Sequence, residues 1–181
     1  MRVIGGEFRS RRLKPVPGFD VRPTSDRLRE TLFNVLATRI EGAFFIDAYS
    51  GSGAVGIEAV SRGAARVVMI ERNKIAIGVI RDNVKELGIA RRVDVVHTKA
   101  ASAIALYPAD IVFMDPPYDL VEEYDACLEA LSAKPPSLVV AEHTSRVSLK
   151  PAYGALQRTR VLKQGESSLS FYSPVSPETT E

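Results

Sequence analysis

The chain of 181 residues has one cysteine, two histidines and no long apolar segment. A single cysteine excludes an intrachain disulfide and a cysteine metal cluster, and Cys127 falls in a helical pattern that predicts a place in the core. His97 and His143 are far apart and outside any metal-ligand spacing, so both are interpreted as structural. No apolar run approaches the ~20 residues of a membrane span, and no signal-peptide pattern opens the chain. These features predict a cytoplasmic protein without a metal site or a membrane segment.

The length predicts one domain with a sizeable buried core. No internal repeat or low-complexity block divides the chain. We expect a basic hairpin or extended arm over residues 1–22, the main domain over residues 23–173, and a frayed polar tail over residues 174–181. A monomer is expected at this size.

The charges are unevenly distributed, although the net charge is only +2. Residues 1–14 hold five basic residues and one acidic residue, a net charge of +4, so the rest of the chain has 19 basic and 21 acidic residues, a net charge of −2. This asymmetry favours a polyanionic partner, although an ordinary solvated basic arm would give the same pattern. The charged residues of this segment are Arg2, Glu7, Arg9, Arg11, Arg12 and Lys14.

A glycine-rich stretch follows the first apolar strand pattern of the chain, residues 43–46. Gly51, Gly53 and Gly56 match the spacing G-x-G-x-x-G, and a helical pattern begins directly after them. An acidic residue, Glu71, ends the next strand pattern, as expected for a residue that binds ribose hydroxyls. The stretch therefore predicts a nucleotide-like ligand, whereas the plain alternative is a tight strand–helix turn that binds nothing.

Asp47 bears on which ligand this turn holds. A dinucleotide would bring its pyrophosphate to the helix N-terminus, near a carboxylate that repels anions. S-adenosylmethionine has no phosphate and carries a sulfonium and an ammonium group, which a carboxylate attracts. Glu71 suits either ligand, so Asp47 alone favours S-adenosylmethionine.

Strand and helix patterns alternate along the chain and predict an α/β fold. We expect a Rossmann-like, mostly parallel sheet with helices on both faces and a closing C-terminal antiparallel hairpin. Asp47, Glu71 and Asp115 each fall at the carboxyl end of a predicted strand, so the three acids should line one rim of the sheet. Strands are predicted at residues 43–46, 66–70, 93–96, 109–114, 138–141, 158–162 and 168–172, and helices are predicted from Thr24 or Ser25, after the glycine-rich stretch, from Asn73, and over residues 100–106 and 121–131.

The motif Asp115-Pro116-Pro117-Tyr118 follows the fourth predicted strand. Two prolines fix the backbone and remove two N–H donors, which leaves a stiff turn whose carbonyls are expected to lack local partners. These carbonyls and the Asp115 carboxylate could accept both hydrogens of an exocyclic amino group on a nucleobase. Tyr118 offers a face for base stacking, and a base in a helix would have to be unstacked to reach it. The plain alternative is a rigid turn with an exposed tyrosine.

These motifs resemble those of class I S-adenosylmethionine-dependent amino methyltransferases. Three further runs are similar to the RsmD-like family: I-G-G-E-F-R-S-R-R-L at residues 4–13, R-P-T-S-D-R-L-R-E-T-L-F-N at residues 22–34, and D-N-V-K-E-L-G at residues 82–88. The likeness runs from about Val3 to Tyr118. It implies methylation of N2 of a guanine in small-subunit (16S) ribosomal RNA, with ribosomal RNA or a partly assembled small subunit as the partner.

The resemblance also implies residue roles. Asp47 and residues 50–53 would hold the methionine part of the cofactor, Glu71 the ribose, and residues 115–118 the guanine amino group. Family members often carry Asn or Asp where this chain has Lys99, so backbone near Ala100 is expected to hold the adenine. The expected cofactor-binding residues are Asp47, Tyr49, Ser50, Gly51, Ser52, Gly53, Glu71, Arg72, Lys99 and Ala100. The expected RNA-binding residues are Arg9, Arg11, Arg12, Arg22, Thr24, Arg27 and Arg29, with solvated surface arginines as the alternative.

Three other functions remain open at this point. A DNA adenine or cytosine amino methyltransferase would use the same D-P-P-Y chemistry, although no separate target-recognition domain is evident. A non-catalytic RNA-binding protein could retain the scaffold, but the intact acidic positions argue against it. A nicotinamide enzyme is disfavoured by Asp47 and by the lack of a second substrate domain.

Overall fold

One sheet of eight strands forms the centre of the computed structural model, which describes residues 1–18, 25–117 and 120–175. The strand order is β3-β2-β1-β4-β5-β8-β7-β6. Neighbours among β1 to β5 are parallel, and β6, β7 and β8 continue the sheet in antiparallel pairs. The strands are β1 Phe44–Ala48, β2 Arg66–Glu71, β3 Val93–His97, β4 Ile111–Met114, β5 Leu138–Thr144, β6 Ala152–Tyr153, β7 Leu156–Gln164 and β8 Ser167–Pro174.

Helices cover both faces of this sheet, as the alternating patterns predict. They are α1 Asp26–Val35, α2 Ala54–Ser61, α3 Lys74–Glu86, α4 Ala100–Ala103 and α5 Val121–Ser132. The side chains of α1, α2 and α3 share one hydrophobic cluster with one face of the strands, and those of α4 and α5 share a second cluster with the other face. The four central strands are almost wholly buried, which explains why they read as continuous apolar runs. The predicted fold class is confirmed.

Side-chain caps fix the start of two helices. The Ser25 hydroxyl accepts the N–H of Leu28 at 3.2 Å, so Ser25 is the N-cap of α1. Asn73 caps α3 by accepting the N–H groups of Ile75 and Ala76 at 2.9 and 3.0 Å. Both residues were candidates from the sequence, whereas the other candidate for α1, Thr24, lies outside the described residues.

The N-terminal segment is a compact hairpin packed on the domain. Arg2 and Arg12 form an antiparallel bridge, and Val3 and Leu13 belong to the core cluster of the α1–α3 face. Phe8 lies in the turn of this hairpin and packs against that cluster. The extended-arm alternative is therefore wrong for residues 1–14, because the apolar residues of the segment are drawn into the core.

The C-terminal strands close the sheet. The predicted hairpin is confirmed, although β7 and β8 are longer than predicted and the short edge strand β6 was missed. The β6 segment has only two residues, too few for an alternating pattern to reveal. Of the predicted tail, Pro174 ends β8, and residues 176–181 lie outside the described part of the chain.

Candidate active site

The carboxyl ends of three adjacent strands carry the acids that the sequence singled out. The order β2-β1-β4 brings the strand ends of Glu71, Asp47 and Asp115 to one edge of the sheet. Glu71 ends β2, Asp47 lies one residue before the end of β1, and Asp115 directly follows β4. The strands β2 and β3 lie on one side of β1, and β4 and β5 lie on the other. The junction between β1 and β4 is thus the topological switch point, where open parallel sheets bind ligands. The predicted adjacency of these strand ends is confirmed.

The turn between β1 and α2, residues 50–53, is called the glycine loop below. Gly53 has a φ of 81°, a left-handed conformation that favours glycine, and it is the N-cap of α2. Gly56, in the first turn of α2, has a different reason to be glycine. A Cβ there would lie 2.6 Å from Cε and 3.0 Å from Cγ of Met69 on β2, so the buried Met69 side chain would have to shift to make room for it.

Asp47 lies under this loop and is only 1 % exposed. Its Oδ2 accepts the N–H of Gly56 at 2.9 Å, and its backbone carbonyl accepts the Ser50 hydroxyl at 2.6 Å. The pKa of Asp47 is raised from 3.8 to about 7, mainly by burial and in smaller part by the charge of Glu71, while the Gly56 bond opposes the shift. A cation beside Asp47 would favour the ionised carboxylate and lower this pKa.

Glu71 joins the glycine loop to the start of α3. Its Oε2 accepts the N–H of Gly51 at 2.9 Å, and its Oε1 accepts the N–H of Asn73 at 2.8 Å. The side chain is half-buried, so its remaining lone pairs can still meet a ligand at the rim. The same bonds that shape the loop thus hold the carboxylate in one orientation.

Tyr49 has a strained conformation and an internal partner. It is one of two non-glycine residues with positive φ in the described ranges, at 73°. Its hydroxyl donates to Oε2 of Glu123 on α5 at 2.6 Å and lies 3.2 Å from Sγ of Cys127. Burial raises the pKa of the tyrosine and also raises the pKa of the Cys127 thiol to about 11. Tyr49 is an expected cofactor-binding residue, and its hydroxyl is engaged with α5.

The remaining expected cofactor contacts lie around the ends of β2 and β3. Arg72 is exposed, and its carbonyl pairs with Nε2 of His97 at 3.1 Å. Lys99 is exposed and precedes α4, whereas Ala100 is buried in the second core cluster. The N–H of Thr98 donates to the carbonyl of Glu71 at 3.1 Å. This turn therefore lies directly beside Glu71, and the side chains of Lys99 and Arg72 are exposed there.

The D-P-P turn follows β4 at the same edge. Asp115 is half-buried, Pro116 is buried and Pro117 is exposed. The carbonyl of Pro117 accepts the N–H of Leu120 at 3.0 Å. The expectation that the carbonyls of this turn lack local partners is therefore wrong at Pro117, because the chain turns back into α5. Tyr118 lies outside the described residues.

Four of the expected RNA contacts lie on the surface. Arg9, Arg11 and Arg12 are exposed on the N-terminal hairpin, and Arg27 is exposed on α1. Their guanidinium groups can reach solvent and could pair with phosphate oxygens. Arg22 and Thr24, which were also expected here, lie outside the described residues.

Arg29 does not belong to this surface, which corrects the sequence-based expectation. It is 0 % exposed, and its Nη2 donates to the carbonyl of Arg2 at 2.6 Å and to Oδ1 of Asp26 at 3.0 Å. Its Nε lies 3.8 Å from Oε2 of Glu58, which is also fully buried. The guanidinium is an internal link between α1, α2 and the N-terminal hairpin, so it cannot contact RNA phosphates.

Two internal polar residues escaped the sequence analysis. Glu58 accepts the N–H groups of Ile4 and Gly5, each at 2.8 Å, and so ties the hairpin to α2. Asn83 of α3 is 1 % exposed and bonds to Lys14 and to Ser52 of the glycine loop. A lone acid in the apolar helix A-V-G-I-E-A-V-S was the signal for Glu58.

Glu142 is a third residue that was missed at the same edge. Met114 and Ala141 are register partners, so Asp115 and Glu142 are the next residues of two adjacent parallel strands. Glu142 is only 2 % exposed, and its carbonyl accepts the Tyr124 hydroxyl at 2.7 Å. Its position after the apolar run L-V-V-A is the same signal that identified Asp47 and Asp115.

Neither a metal centre nor a membrane segment is present in residues 1–18, 25–117 and 120–175. No group of three His, Cys, Asp or Glu side chains could hold a metal ion there. No helix in these ranges is both long enough and apolar enough to cross a bilayer.

The sheet order, the glycine loop and the acidic rim define the fold of the class I methyltransferases. An RNA methyltransferase from Salinibacter ruber, solved in complex with S-adenosyl-L-homocysteine, has this fold, with a TM-score of 0.66 over 88% of this chain and 99% of that one. The identity is only 19%, so this similarity concerns the fold alone.

Closer relatives identify the family. The sequence pattern of the family described as Conserved hypothetical protein 95 matches residues 1–173. Ribosomal RNA small subunit methyltransferase D of Escherichia coli strain K12 is 40% identical over 91% of this chain and 86% of its own length. The solved structure of the Escherichia coli protein yhhF has a TM-score of 0.81 and 34% identity, covering 96% and 97% of the two chains. The chain belongs to the Conserved hypothetical protein 95 family, and the resemblance to the RsmD-like enzymes is confirmed.

Proposed function

We propose that the protein methylates ribosomal RNA, and that it transfers the methyl group of S-adenosylmethionine to N2 of a guanine in the small-subunit RNA. The observation that carries this proposal is the adjacency of the Asp115 turn to the Asp47 and Glu71 strand ends. The name of the Escherichia coli relative supports ribosomal RNA as the substrate. The guanine N2 target is the finer part of the proposal and rests on the D-P-P chemistry together with the family resemblance.

The residues at the rim fit S-adenosylmethionine. Asp47 is buried under the glycine loop, where its ionised form would be stabilised by a cationic ligand and destabilised by a pyrophosphate. Glu71 is oriented by the Gly51 and Asn73 N–H groups and keeps acceptor capacity for ribose hydroxyls. The complex of the Salinibacter ruber enzyme with S-adenosyl-L-homocysteine supports the same ligand class on this fold.

The Asp115 turn would orient the amine. S-adenosylmethionine supplies an electrophilic methyl group on its sulfonium. Asp115 and the adjacent carbonyls would accept hydrogen bonds from the amino group and direct its lone pair toward that methyl carbon. As the nitrogen–carbon bond forms, the carbon–sulfur bond breaks and its electron pair stays on sulfur. The nitrogen then loses a proton to water, so proximity and orientation supply most of the rate.

The first experiment is transfer of labelled methyl by the purified protein. Small ribosomal subunits lacking base methylation, deproteinised small-subunit RNA and duplex DNA are offered in parallel. We expect label in guanine of the ribosomal RNA. Label in DNA alone would favour a DNA amino methyltransferase, and cofactor binding without any transfer would reject the proposed substrate.

The role of Asp115 is tested in the same assay. Asp115→Ala should reduce transfer by at least about 100-fold, as expected when an oriented polar group at a reacting centre is removed. Affinity for S-adenosylmethionine should change little, because Asp47 and Glu71 remain. Glu122→Ala is the control, since Glu122 is exposed on the first turn of α5. Full activity of Asp115→Ala would contradict the mechanism.

A further inference from the structure

A single buried amide contacts both the N-terminal hairpin and the glycine loop. Asn83 of α3 accepts the N–H of Lys14 at 2.8 Å through Oδ1. Its Nδ2 donates to the carbonyls of Lys14 and Ser52, each at 3.1 Å. The side chain therefore pairs with the Lys14 backbone as a neighbouring strand would, and its second amide hydrogen reaches the loop.

The Ser52 carbonyl, which Asn83 binds, lies in the part of the loop with the most backbone freedom. Ser52 lies between Gly51 and Gly53, which have φ values of 55° and 81°. Glycines on both sides give this part of the chain more backbone freedom than other residue types would. Glu71 accepts the N–H of Gly51 at 2.9 Å, and Asn83 donates to the carbonyl of the next residue, Ser52. The two side chains therefore hold the start and the end of the Gly51-Ser52 dipeptide.

Lys14 marks the end of the basic hairpin. The start of this hairpin is held by Glu58 through Ile4 and Gly5, and its turn is held by the Ser61 hydroxyl, which accepts the N–H of Phe8 at 2.9 Å. Those contacts reach α2 alone. At the exposed start of the hairpin the Ser52 hydroxyl also donates to Sδ of Met1 at 3.7 Å, whereas Asn83 is a buried side chain that hydrogen-bonds to both the hairpin and the glycine loop.

We propose that Asn83 couples the two ligands: RNA bound to the basic hairpin and cofactor bound to the glycine loop each strengthen the binding of the other. The inference rests on the function proposed above and adds a positioning residue to it. Both ligands would favour the arrangement in which Lys14 and Ser52 are bonded to Asn83. Because coupling between binding sites is reciprocal, each ligand should change the affinity of the other by the same factor.

A coupling residue and a merely structural one differ in a measurable way. If Asn83 only stabilises the fold, its loss lowers the unfolding midpoint but leaves the ratio of cofactor affinities with and without RNA unchanged. If it couples the sites, that ratio falls toward one while each ligand alone still binds.

The test uses S-adenosylhomocysteine as an unreactive probe. Its dissociation constant is measured by equilibrium dialysis with and without saturating small ribosomal subunits that lack base methylation, and the subunit affinity is measured with and without the probe. For the unaltered protein we expect each ligand to lower the dissociation constant of the other by about fivefold or more. In Asn83→Asp both donated bonds are lost and the shape is kept, so this factor should fall to within about twofold of one, and Asn83→Ala should behave likewise.

Asp82→Asn is the matched control. Asp82 is the exposed neighbour of Asn83 on α3, and its carboxylate lies 3.3 Å from Nζ of Lys14. Its replacement removes an ion pair with the hairpin but leaves the Asn83 bonds, so the coupling factor should persist. Equal loss of coupling in Asp82→Asn would assign the effect to charge and overturn the proposal.

Two further outcomes overturn it, and both are distinct from failure of the proposed function. One is independent binding of the two ligands in the unaltered protein. The other is an unchanged coupling factor in Asn83→Asp and Asn83→Ala, with thermal unfolding confirming that the variants are folded. In either case labelled methyl would still enter ribosomal RNA, whereas failure of the proposed function would abolish that transfer in the unaltered protein.

Discussion

Asp47 shows how a residue at the rim can make stability depend on pH. Its pKa rises from 3.8 to about 7 mainly because it is buried. Between these two values the folded protein binds a proton that the unfolded chain releases, so this group favours the folded state most at low pH and loses that contribution as the pH rises through about 7. In the absence of ligand, the free energy of unfolding should fall by up to about 1.4 kcal/mol per pH unit across this range.

Urea unfolding at pH 5, 6, 7 and 8 measures this effect. Asp47→Asn is the comparison, because it keeps an oxygen for the Gly56 N–H but cannot ionise. The difference in unfolding free energy between the unaltered protein and Asp47→Asn should change with pH as Asp47 titrates. A pH-independent difference would contradict the raised pKa.

Cofactor affinity should also depend on the ionisation of Asp47, but it should increase with pH, whereas the stability decreases. A cationic ligand prefers ionised Asp47, so its binding should expel the proton and lower the carboxyl pKa. The dissociation constant of S-adenosylmethionine should therefore increase as the pH falls below about 7, by at most tenfold per pH unit. Isothermal titration calorimetry in buffers of different ionisation enthalpy would detect the released protons. Their absence at pH 6 would show that the ligand does not contact Asp47.

Arg27 and Arg29 form a matched pair, since they lie two positions apart on α1 with opposite exposure. Arg29→Ala removes the buried bonds to Arg2 and Asp26, while Glu58 keeps its 2.8 Å ion pair with Arg62, and should cost about 1.5–3 kcal/mol of unfolding free energy, measured in urea. Arg27→Ala should change stability by less than about 0.5 kcal/mol because Arg27 is exposed. Arg27→Ala should weaken the binding of RNA. If Arg27→Ala lost as much stability as Arg29→Ala, the assignment of Arg27 to the surface would be contradicted.

At the scale of elements, Tyr49 connects the strand that leads into the glycine loop with the helix that follows the D-P-P turn. Its hydroxyl donates to Glu123 across the space between β1 and α5. Removing that hydroxyl in Tyr49→Phe should cost about 1–2 kcal/mol, since Glu123 is half-buried and can be solvated in part. The double-mutant cycle with Glu123→Ala should give a coupling energy of about 1 kcal/mol. Glu122→Ala, one residue away and exposed, should show none with Tyr49→Phe.

How far the sequence predicted these elements depended on how local each signal was. The strands, the caps Ser25 and Asn73, and the acids at strand ends follow from hydrophobic runs and from the residues that end them. The burial of Arg29 was not predictable in this way, because its partners Glu58 and Arg2 come from other parts of the chain. The Asn83 contacts with Lys14 and Ser52 are likewise between segments remote in sequence.

At the scale of the whole molecule, the positive charge and the proposed chemistry occupy connected parts of one surface. The basic hairpin packs on α2, which begins at the glycine loop, and Asn83 joins that hairpin to the loop directly. RNA held by the hairpin would therefore lie close to the loop that holds the cofactor.

Salt dependence measures how much of the RNA affinity comes from this surface. Each phosphate contact that a cation makes contributes about 0.7–0.9 to the slope of log affinity against log salt concentration. Arg9→Ala, Arg11→Ala and Arg12→Ala should each weaken binding to small-subunit RNA and reduce the slope by roughly that amount, because all three side chains are exposed. Arg160→Ala, an exposed arginine on the antiparallel strand β7, is the control and should leave the slope unchanged. If the slope stayed constant in all three hairpin variants, the RNA would have to bind elsewhere, because loss of a phosphate contact without loss of counterion release is not physically consistent.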